Sequence, residues 1–103
     1  MSVYTFFNVI NLPEGDESEA MKAWAAIGDY MVKQPGFIGS TLYRNQRDPK
    51  MLINKGLYKS VESFMVCVKS PEFERLSQKL TDLGVERNAG LYDELKSFGE
   101  GGN

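Results

Sequence analysis

The first apolar segment of the chain restricts its fold more than any other feature. Residues 3–12, VYTFFNVINL, are rich in β-branched and aromatic residues and end at a Pro-Glu-Gly turn signal, so they predict a β-strand. Side chains alternate across a strand, and here Phe6 and Ile10 fall on one face while Phe7 and Val9 fall on the other. A strand that is apolar on both faces is usually buried on both. The fold must therefore cover both faces of the sheet that contains this strand.

The rest of the chain alternates between helical and strand signals. The helical signals are a helix that Asp16 caps and that ends near residue 34, a short helix capped by Ser60, and a helix that Ser70 and Pro71 open and Gly84 ends. At the first helix, Asp16 and Glu19 have the spacing of a capping box. The strand signals lie at residues 37–44, 51–59 and 88–98.

This order, β-α-β-β-α(α)-β, predicts an α+β fold of the ferredoxin-like split β-α-β type, with an antiparallel sheet and helices on one face. The helices cover only one of the two apolar faces, so the other is predicted to pack against a second copy of the chain, sheet against sheet. At 103 residues we expect a single domain over residues 1–98 and a flexible tail over 99–103.

The composition excludes several kinds of chemistry and several partners. The chain has no His, which excludes a Ser-His-Asp triad, a Cys-His pair and His ligands to zinc or haem iron. Its 12 Lys and Arg are interspersed with 14 Asp and Glu, so we expect no nucleic-acid partner. A lone Cys67 makes no intramolecular disulfide, and no apolar run is long enough for a membrane span or signal peptide, so we expect a cytoplasmic protein.

A set of short motifs, in order along the chain, resembles the antibiotic biosynthesis monooxygenase domain. The motifs are Phe7-Asn8-Val9-Ile10 leading to Pro13-Glu14-Gly15, Trp24, Gln34-Pro35-Gly36-Phe37-Ile38-Gly39 leading to Leu42-Tyr43-Arg44, Ile53-Asn54, Ser60-x-Glu62-x-Phe64, and Lys69-Ser70-Pro71-Glu72-Phe73. The resemblance covers residues 3 to about 76. It implies a dimeric α+β barrel.

The resemblance also implies an activity. The family includes enzymes that oxygenate polycyclic phenols or quinols with O₂ and without metal or flavin, together with relatives that degrade haem. In both groups an Asn on the first or the third strand lines the cavity, and Asn8 and Asn54 match these positions here. The family's Trp beyond the second Asn is Tyr58 in this chain. The resemblance therefore implies a site without cofactor or metal that takes a small aromatic ligand.

The three proposed catalytic residues each have a role and an alternative. Asn8 lies in an apolar strand, where an unpartnered amide costs about 1–3 kcal/mol, so it either serves a substrate oxygen or satisfies a backbone group at a bulge. Asn54 and Tyr58 share one face of the third strand. The amides would stabilise a developing oxyanion, and Tyr58 would donate to a peroxy intermediate, stack on the substrate or simply end the strand.

Four further residues are predicted to bind substrate. Trp24, Phe64 and Phe6 would form aromatic walls of the cavity, and the alternative is ordinary core packing. Arg44, near the exit of the second strand, would hold an anionic oxygen, or it is a solvated charge at the edge of a loop.

These observations favour a cofactor-independent monooxygenase that oxidises an aromatic phenol or quinol-type molecule with O₂. The alternative of another class is a non-enzymatic small-molecule-binding or assembly domain with the same fold. Replacement of the family's Trp by Tyr58 is the kind of change that accompanies loss of the catalytic activity. Haem degradation is disfavoured because the chain has no imidazole for the iron. An isomerase or cyclase would use the same pocket without O₂.

Overall fold

The computed structural model describes residues 3–102, which form an α+β fold with its elements in the predicted order. The elements are β1 (Tyr4–Asn11), α1 (Ser18–Met31), β2 (Phe37–Arg44), β3 (Met51–Tyr58), α2 (Val61–Val68), α3 (Pro71–Asp82), β4 (Glu86–Tyr92) and a short 3₁₀ turn (Glu100–Gly102). The last residue of the predicted tail, Asn103, lies outside the described residues, as do Met1 and Ser2. The predicted fold class is confirmed.

The strands form one antiparallel sheet in the order β2-β3-β1-β4, so β1 lies in the interior between β3 and β4. In β3 the side chains alternate strictly between buried and more accessible positions, and the buried ones face the helices. They are Leu52, Asn54, Gly56 and Tyr58. Through the β1–β3 register, the matching helix-facing positions of β1 are Phe6, Asn8 and Ile10. This face carries the core and the cavity described below.

Local hydrogen bonds define the beginnings of α2 and α3. Ser60 accepts from the backbone N–H of Ser63, and the Ser63 hydroxyl accepts from the backbone N–H of Ser60, which completes a capping box. Ser70 accepts from the backbone N–H of Phe73, and Pro71 occupies the first turn, where its missing N–H costs nothing. Both caps are at the positions predicted from the sequence.

The predicted capping box at the beginning of α1 is wrong. Asp16 accepts from the backbone N–H and the hydroxyl of Ser18, which makes a tight local turn before the helix. Glu17 is the N-cap residue, and its side chain makes no capping hydrogen bond. The Asp16 carboxylate, which the sequence pattern assigned to the end of the helix, is therefore used within this turn. Its hydrogen bonds with Ser18 lower the pKa of Asp16.

The last strand is also shifted from its prediction. It was expected over residues 88–98 and occupies Glu86–Tyr92. Pairing with β1 explains the difference, because Tyr92 pairs with Thr5 and only Tyr4 of β1 lies beyond it, so β1 is too short to pair with residues 94–98. Leu95 and Phe98 lie in the irregular segment beyond the strand and are highly exposed.

No helix within residues 3–102 covers the second face of the sheet. This open face includes the alternate residues of the strands, and its apolar members include Phe7, Val9, Tyr43, Met51, Ile53, Leu57 and Tyr92. Tyr43, Ile53 and Tyr92 are exposed in the single chain. Within residues 3–102, no helix has the length and apolar character needed to cross a membrane.

Candidate functional site

A cavity of about 420 Å³ lies between the helix-facing side of the sheet and the three helices. Its volume falls within the usual range for small-molecule sites. Most of the wall is aromatic or aliphatic, and its aromatic members are Phe6, Trp24, Phe37, Tyr58, Phe64 and Phe73. Polar side chains from the sheet and from α3 complete the lining: Asn8, Ser40, Asn54, Ser77 and Arg87. A cavity of this composition suits an aromatic ligand with a few polar substituents.

Two asparagines face each other in the floor of this cavity. Asn8 of β1 is directly opposite Asn54 of β3 in the strand register. They are 7% and 8% exposed, and neither Oδ1 has a hydrogen-bond partner among the described residues. A buried acceptor without a partner costs about 1–3 kcal/mol, so a pair of them in one cavity is unusual for a purely structural core.

The strand around Asn8 is regular, which argues against the alternative that Asn8 satisfies a backbone group at a bulge. The β1–β3 register runs without interruption from Tyr4 to Asn11, and the irregularity in the sheet lies in β2, between Phe37 and Gly39. Asn8 therefore has no bulge beside it to satisfy. Its carboxamide lies in the cavity wall as a consequence of ordinary strand alternation.

Tyr58 lies at the end of the same face, among aromatic rings. The ring is 3% exposed and meets Phe37 and Phe64 edge-on, with centroids 5.5 Å and 5.1 Å away. Burial, and to a lesser extent the nearby Cys67 thiol, raises the pKa of Tyr58 above its ordinary value. Burial also raises the pKa of Cys67, which is packed in the core. Tyr58 is therefore a neutral phenol near pH 7, able to donate a hydrogen bond but unsuited to act as a base.

Six of the seven residues singled out from the sequence line this cavity, namely Phe6, Asn8, Trp24, Asn54, Tyr58 and Phe64. Arg44 does not. It shares the helix-facing side by register, but it lies at the far end of β2, where its guanidinium donates to Glu17 at 3.1 Å and to the carbonyl of Pro49 at 2.8 Å. This position fits the alternative of a solvated charge at the edge of a loop.

The sequence reasoning missed Arg87 and Ser77, both of which line the cavity. Arg87 precedes the predicted limits of the last strand, so the prediction assigns it to no face of the sheet. With β4 beginning at Glu86, Arg87 is opposite Ile10 and shares its face. Ser77 is on α3, where its hydroxyl donates to the carbonyl of Phe73 at 2.8 Å. Correct strand limits would have found Arg87 from the sequence.

Residues 3–102 contain no group of three or more His, Cys, Asp or Glu side chains that could hold a metal ion. The cavity wall itself contains no carboxylate and no imidazole among those residues. Proton transfer from a bound ligand would therefore depend on hydrogen-bond donors that stabilise the ligand's anion, with Asn8, Asn54, Tyr58 and Arg87 as the donors available.

The fold has well-matched counterparts among solved structures. SnoaB, a cofactor-independent oxygenase from Streptomyces nogalater, is 22% identical over 97% of this chain and 100% of its own, with a TM-score of 0.84. A candidate antibiotic biosynthesis monooxygenase from Deinococcus radiodurans is 9% identical over 95% and 97%, with a TM-score of 0.80. A candidate monooxygenase from Shewanella loihica PV-4 is 23% identical over 93% and 97%, with a TM-score of 0.74. At these identities the likeness shows the fold alone.

Sequence comparison identifies the family. No curated protein matches the chain significantly by sequence. The profile of the antibiotic biosynthesis monooxygenase family, however, matches residues 4–79, which contain β1 to β3, α1 and α2, most of α3 and both cavity asparagines. The chain belongs to the antibiotic biosynthesis monooxygenase family.

Proposed function

We propose that this protein is a cofactor-independent monooxygenase that oxidises an aromatic phenol, quinol or anthrone-type molecule with O₂. The observation that carries the proposal is the pair of buried carboxamides of Asn8 and Asn54, in the floor of an aromatic cavity, whose Oδ1 atoms have no hydrogen-bond partner among the described residues. Membership of a monooxygenase family and a fold shared with a cofactor-independent oxygenase support it.

The carboxamides would act on the oxygen of the substrate. A neutral phenol donates its O–H to an amide oxygen, and the same amide offers N–H donors once that oxygen becomes negative. Such donors in a dry site favour the ionised substrate, which is electron-rich enough to react with O₂ directly. The proton passes to solvent water, and the residues promote this ionisation without themselves acting as a base.

The reaction is balanced without an added reductant when the substrate supplies all the electrons. For an anthrone-type substrate, the ring methylene becomes a carbonyl. One atom of O₂ forms that carbonyl, and the other leaves as water together with both methylene hydrogens. Tyr58, a neutral donor on the same face of β3 as Asn54, would hydrogen-bond the peroxide formed on the way, and its ring edge would pack on the substrate.

Oxygen uptake tests the proposal. We expect O₂ consumption above the buffer rate with at least one member of a panel of anthrones and polycyclic hydroquinones, and one ¹⁸O atom from ¹⁸O₂ in the product. Asn54→Ala should lower kcat about 10²–10³-fold, the usual effect of losing one oxyanion donor. Asn11→Ala is the matched control, because Asn11 lies on β1 like Asn8 but at an exposed position on the open face.

The possible outcomes separate enzyme from binding protein. Saturable binding of the panel without O₂ uptake in the folded protein would favour the non-enzymatic binding domain. Uptake that survives both Asn8→Ala and Asn54→Ala would show that the asparagines are not the catalytic residues.

We further propose that the protein is a homodimer that pairs through the open face of the sheet. The exposed apolar side chains Tyr43, Ile53 and Tyr92 support this, together with the half-buried Val9, which is opposite Ile53 in the strand register. Contiguous apolar surface of this kind on a soluble chain usually marks an interface, and two sheets packed face to face would bury it. The two cavities would then lie on the outer sides of the paired sheets.

A further inference from the structure

Arg87 is the only charged residue in the cavity wall among the described residues. It lies on β4 opposite Ile10, one diagonal step from Asn8, and this arrangement usually separates Cα atoms by roughly 7–8 Å. The aromatic rings of Tyr58 and Phe64 lie toward the other end of the cavity. The cavity is thus graded from a cationic end, through the two amides, to an aromatic end.

The hydrogen bonds of Arg87 leave much of its guanidinium uncommitted. Nη1 donates to the carbonyl of Ser77 at 3.0 Å, and Nη2 donates to Oγ1 of Thr81 at 2.6 Å. A guanidinium has five N–H donors, so three remain. None of the salt bridges between described residues includes Arg87.

A half-buried cation without a carboxylate partner is an electrostatic cost that an anionic ligand would remove. Burial lowers the pKa of Arg87, as expected for a cation that is partly removed from water. The guanidinium nevertheless stays charged at neutral pH, as arginine side chains in proteins do. A purely structural role, joining β4 to α3 through Ser77 and Thr81, needs only two of the donors.

We propose that Arg87 binds an anionic oxygen substituent on the aromatic substrate, separate from the oxygen held at Asn8 and Asn54. This rests on the proposed function in that it places both groups on one substrate. The substituent is either a carboxylate, which a guanidinium binds through two parallel hydrogen bonds, or a second, ionised phenol. Arg87 would then select acidic polycyclic substrates over their neutral analogues and fix which ring position lies over the amides.

Binding of matched ligand pairs tests this without any turnover. Anthraquinone-2-carboxylate is compared with its carboxamide, and 2-hydroxyanthraquinone with its methyl ether above and below the pKa of the phenol. These quinones are already oxidised, so the result does not depend on whether the protein consumes O₂. Calorimetry gives the affinities, and quenching of Trp24, the only Trp of the chain and part of the cavity wall, reports occupancy.

We expect the wild type to bind the charged member of at least one pair roughly 10- to 100-fold more tightly, as a hydrogen bond to a charged group usually gives. Arg87→Gln should bring the ratio close to one, and Arg87→Lys should retain part of it. Arg75→Gln is the matched control, because Arg75 is an exposed α3 residue outside the cavity wall, paired with Glu72.

A second variant separates binding from a structural tie. Thr81→Val removes one acceptor of Arg87 but keeps the positive charge, so the preference for the charged ligand should persist even if the protein becomes less stable. The proposal is overturned if the wild type shows no preference in either pair, or if Arg87→Gln keeps the preference. The carboxylate pair and the phenol pair tell the two sources of the anion apart.

Discussion

Asn8 and Asn54 show, at the scale of single residues, how a fold keeps polar groups that do not help it to fold. Each lies on a strand face that is otherwise apolar, and each buries a carboxamide oxygen that no described residue satisfies. The local cost is about 1–3 kcal/mol for each group, a sizeable part of the stability of a small domain. Residues of this kind usually persist because they serve a ligand.

Replacing Asn8 by an apolar side chain of similar size should therefore stabilise the protein and lower its activity. We expect Asn8→Leu to raise the free energy of unfolding by about 1–3 kcal/mol, because the unsatisfied acceptor disappears. O₂ uptake should fall at the same time. Urea denaturation measures the first effect, with Asn11→Leu as the exposed control on the same strand. Lower stability in Asn8→Leu would mean that the carboxamide is satisfied in the folded protein.

Tyr58 gives a prediction about alkaline pH. Because burial raises its pKa, the folded chain holds the phenol proton when the unfolded chain has lost it, above about pH 10. The unfolded state then binds fewer protons, so stability falls as pH rises, by at most about 1.4 kcal/mol per pH unit for one group. Tyr58→Phe should make this decline shallower between pH 10 and 11 and change stability little at pH 7. Parallel pH profiles for both proteins would contradict this.

The sequence could predict most cavity residues. Strand alternation assigns Asn54 and Tyr58 to one face of β3, and the β1–β3 register places Asn8 on that same face. The sequence could not predict that Arg44 forms an ion pair with Glu17, since that contact joins segments distant in sequence. Arg87 was missed for a related reason. The limits of β4 are fixed by where β1 begins and ends, which is information from pairing rather than from local composition.

At the scale of elements, the helices whose ends have strong local signals were predicted best. Ser60 and Ser70 cap α2 and α3 as expected, because each helix begins at a hydroxyl that accepts from a nearby backbone N–H. The beginning of α1 was predicted less well. There an acidic segment offers several carboxylates, and Asp16 bonds to Ser18 in preference to the helix end.

Gly28 of helix α1 affects how much space the cavity has. A Cβ built at Gly28 would meet no atom within 4 Å, and its backbone φ is not positive, so nothing in the packing requires glycine. Glycine inside a helix costs about 0.8–1.0 kcal/mol relative to alanine. Gly28 lies in the cavity wall, and because it has no side chain it leaves that space open to a ligand.

Filling this position should separate stability from binding. We expect Gly28→Ala to stabilise the protein by up to about 1 kcal/mol and to bind ligand nearly as the wild type does. Gly28→Leu should keep the stability of the helix but weaken binding of the anthraquinone probes by more than about tenfold, because the side chain enters the cavity. Thermal melts and calorimetric titration measure the two effects. Wild-type affinity in Gly28→Leu would place the ligand elsewhere.

At the scale of the whole molecule, the two faces of the sheet differ in what packs against them. The helix-facing side holds the core and the cavity, while the open face has apolar residues with nothing over them in a single chain. This division follows from the first strand, whose two faces are both apolar although the helices pack on only one. The sequence indicated the surplus face, but the position of each exposed residue required the register of all four strands.

The open face gives the last prediction, which concerns assembly. We expect the wild type to have twice the mass of one chain in sedimentation equilibrium at micromolar concentration. Ile53→Lys puts a charge in the middle of the open face, where desolvation in a dimer is costly, and should yield monomers.

Val66→Lys is the matched control, since Val66 is an exposed apolar residue of α2, on the helical side of the molecule. It should leave the dimer intact. Both variants should remain folded, because each changes a side chain that is exposed in the single chain, and circular dichroism checks this. A monomeric wild type would refute pairing through the open face, and a dimer that survives Ile53→Lys would move the interface to another surface, with the exposed Leu95 and Phe98 of the C-terminal segment as the next residues to replace.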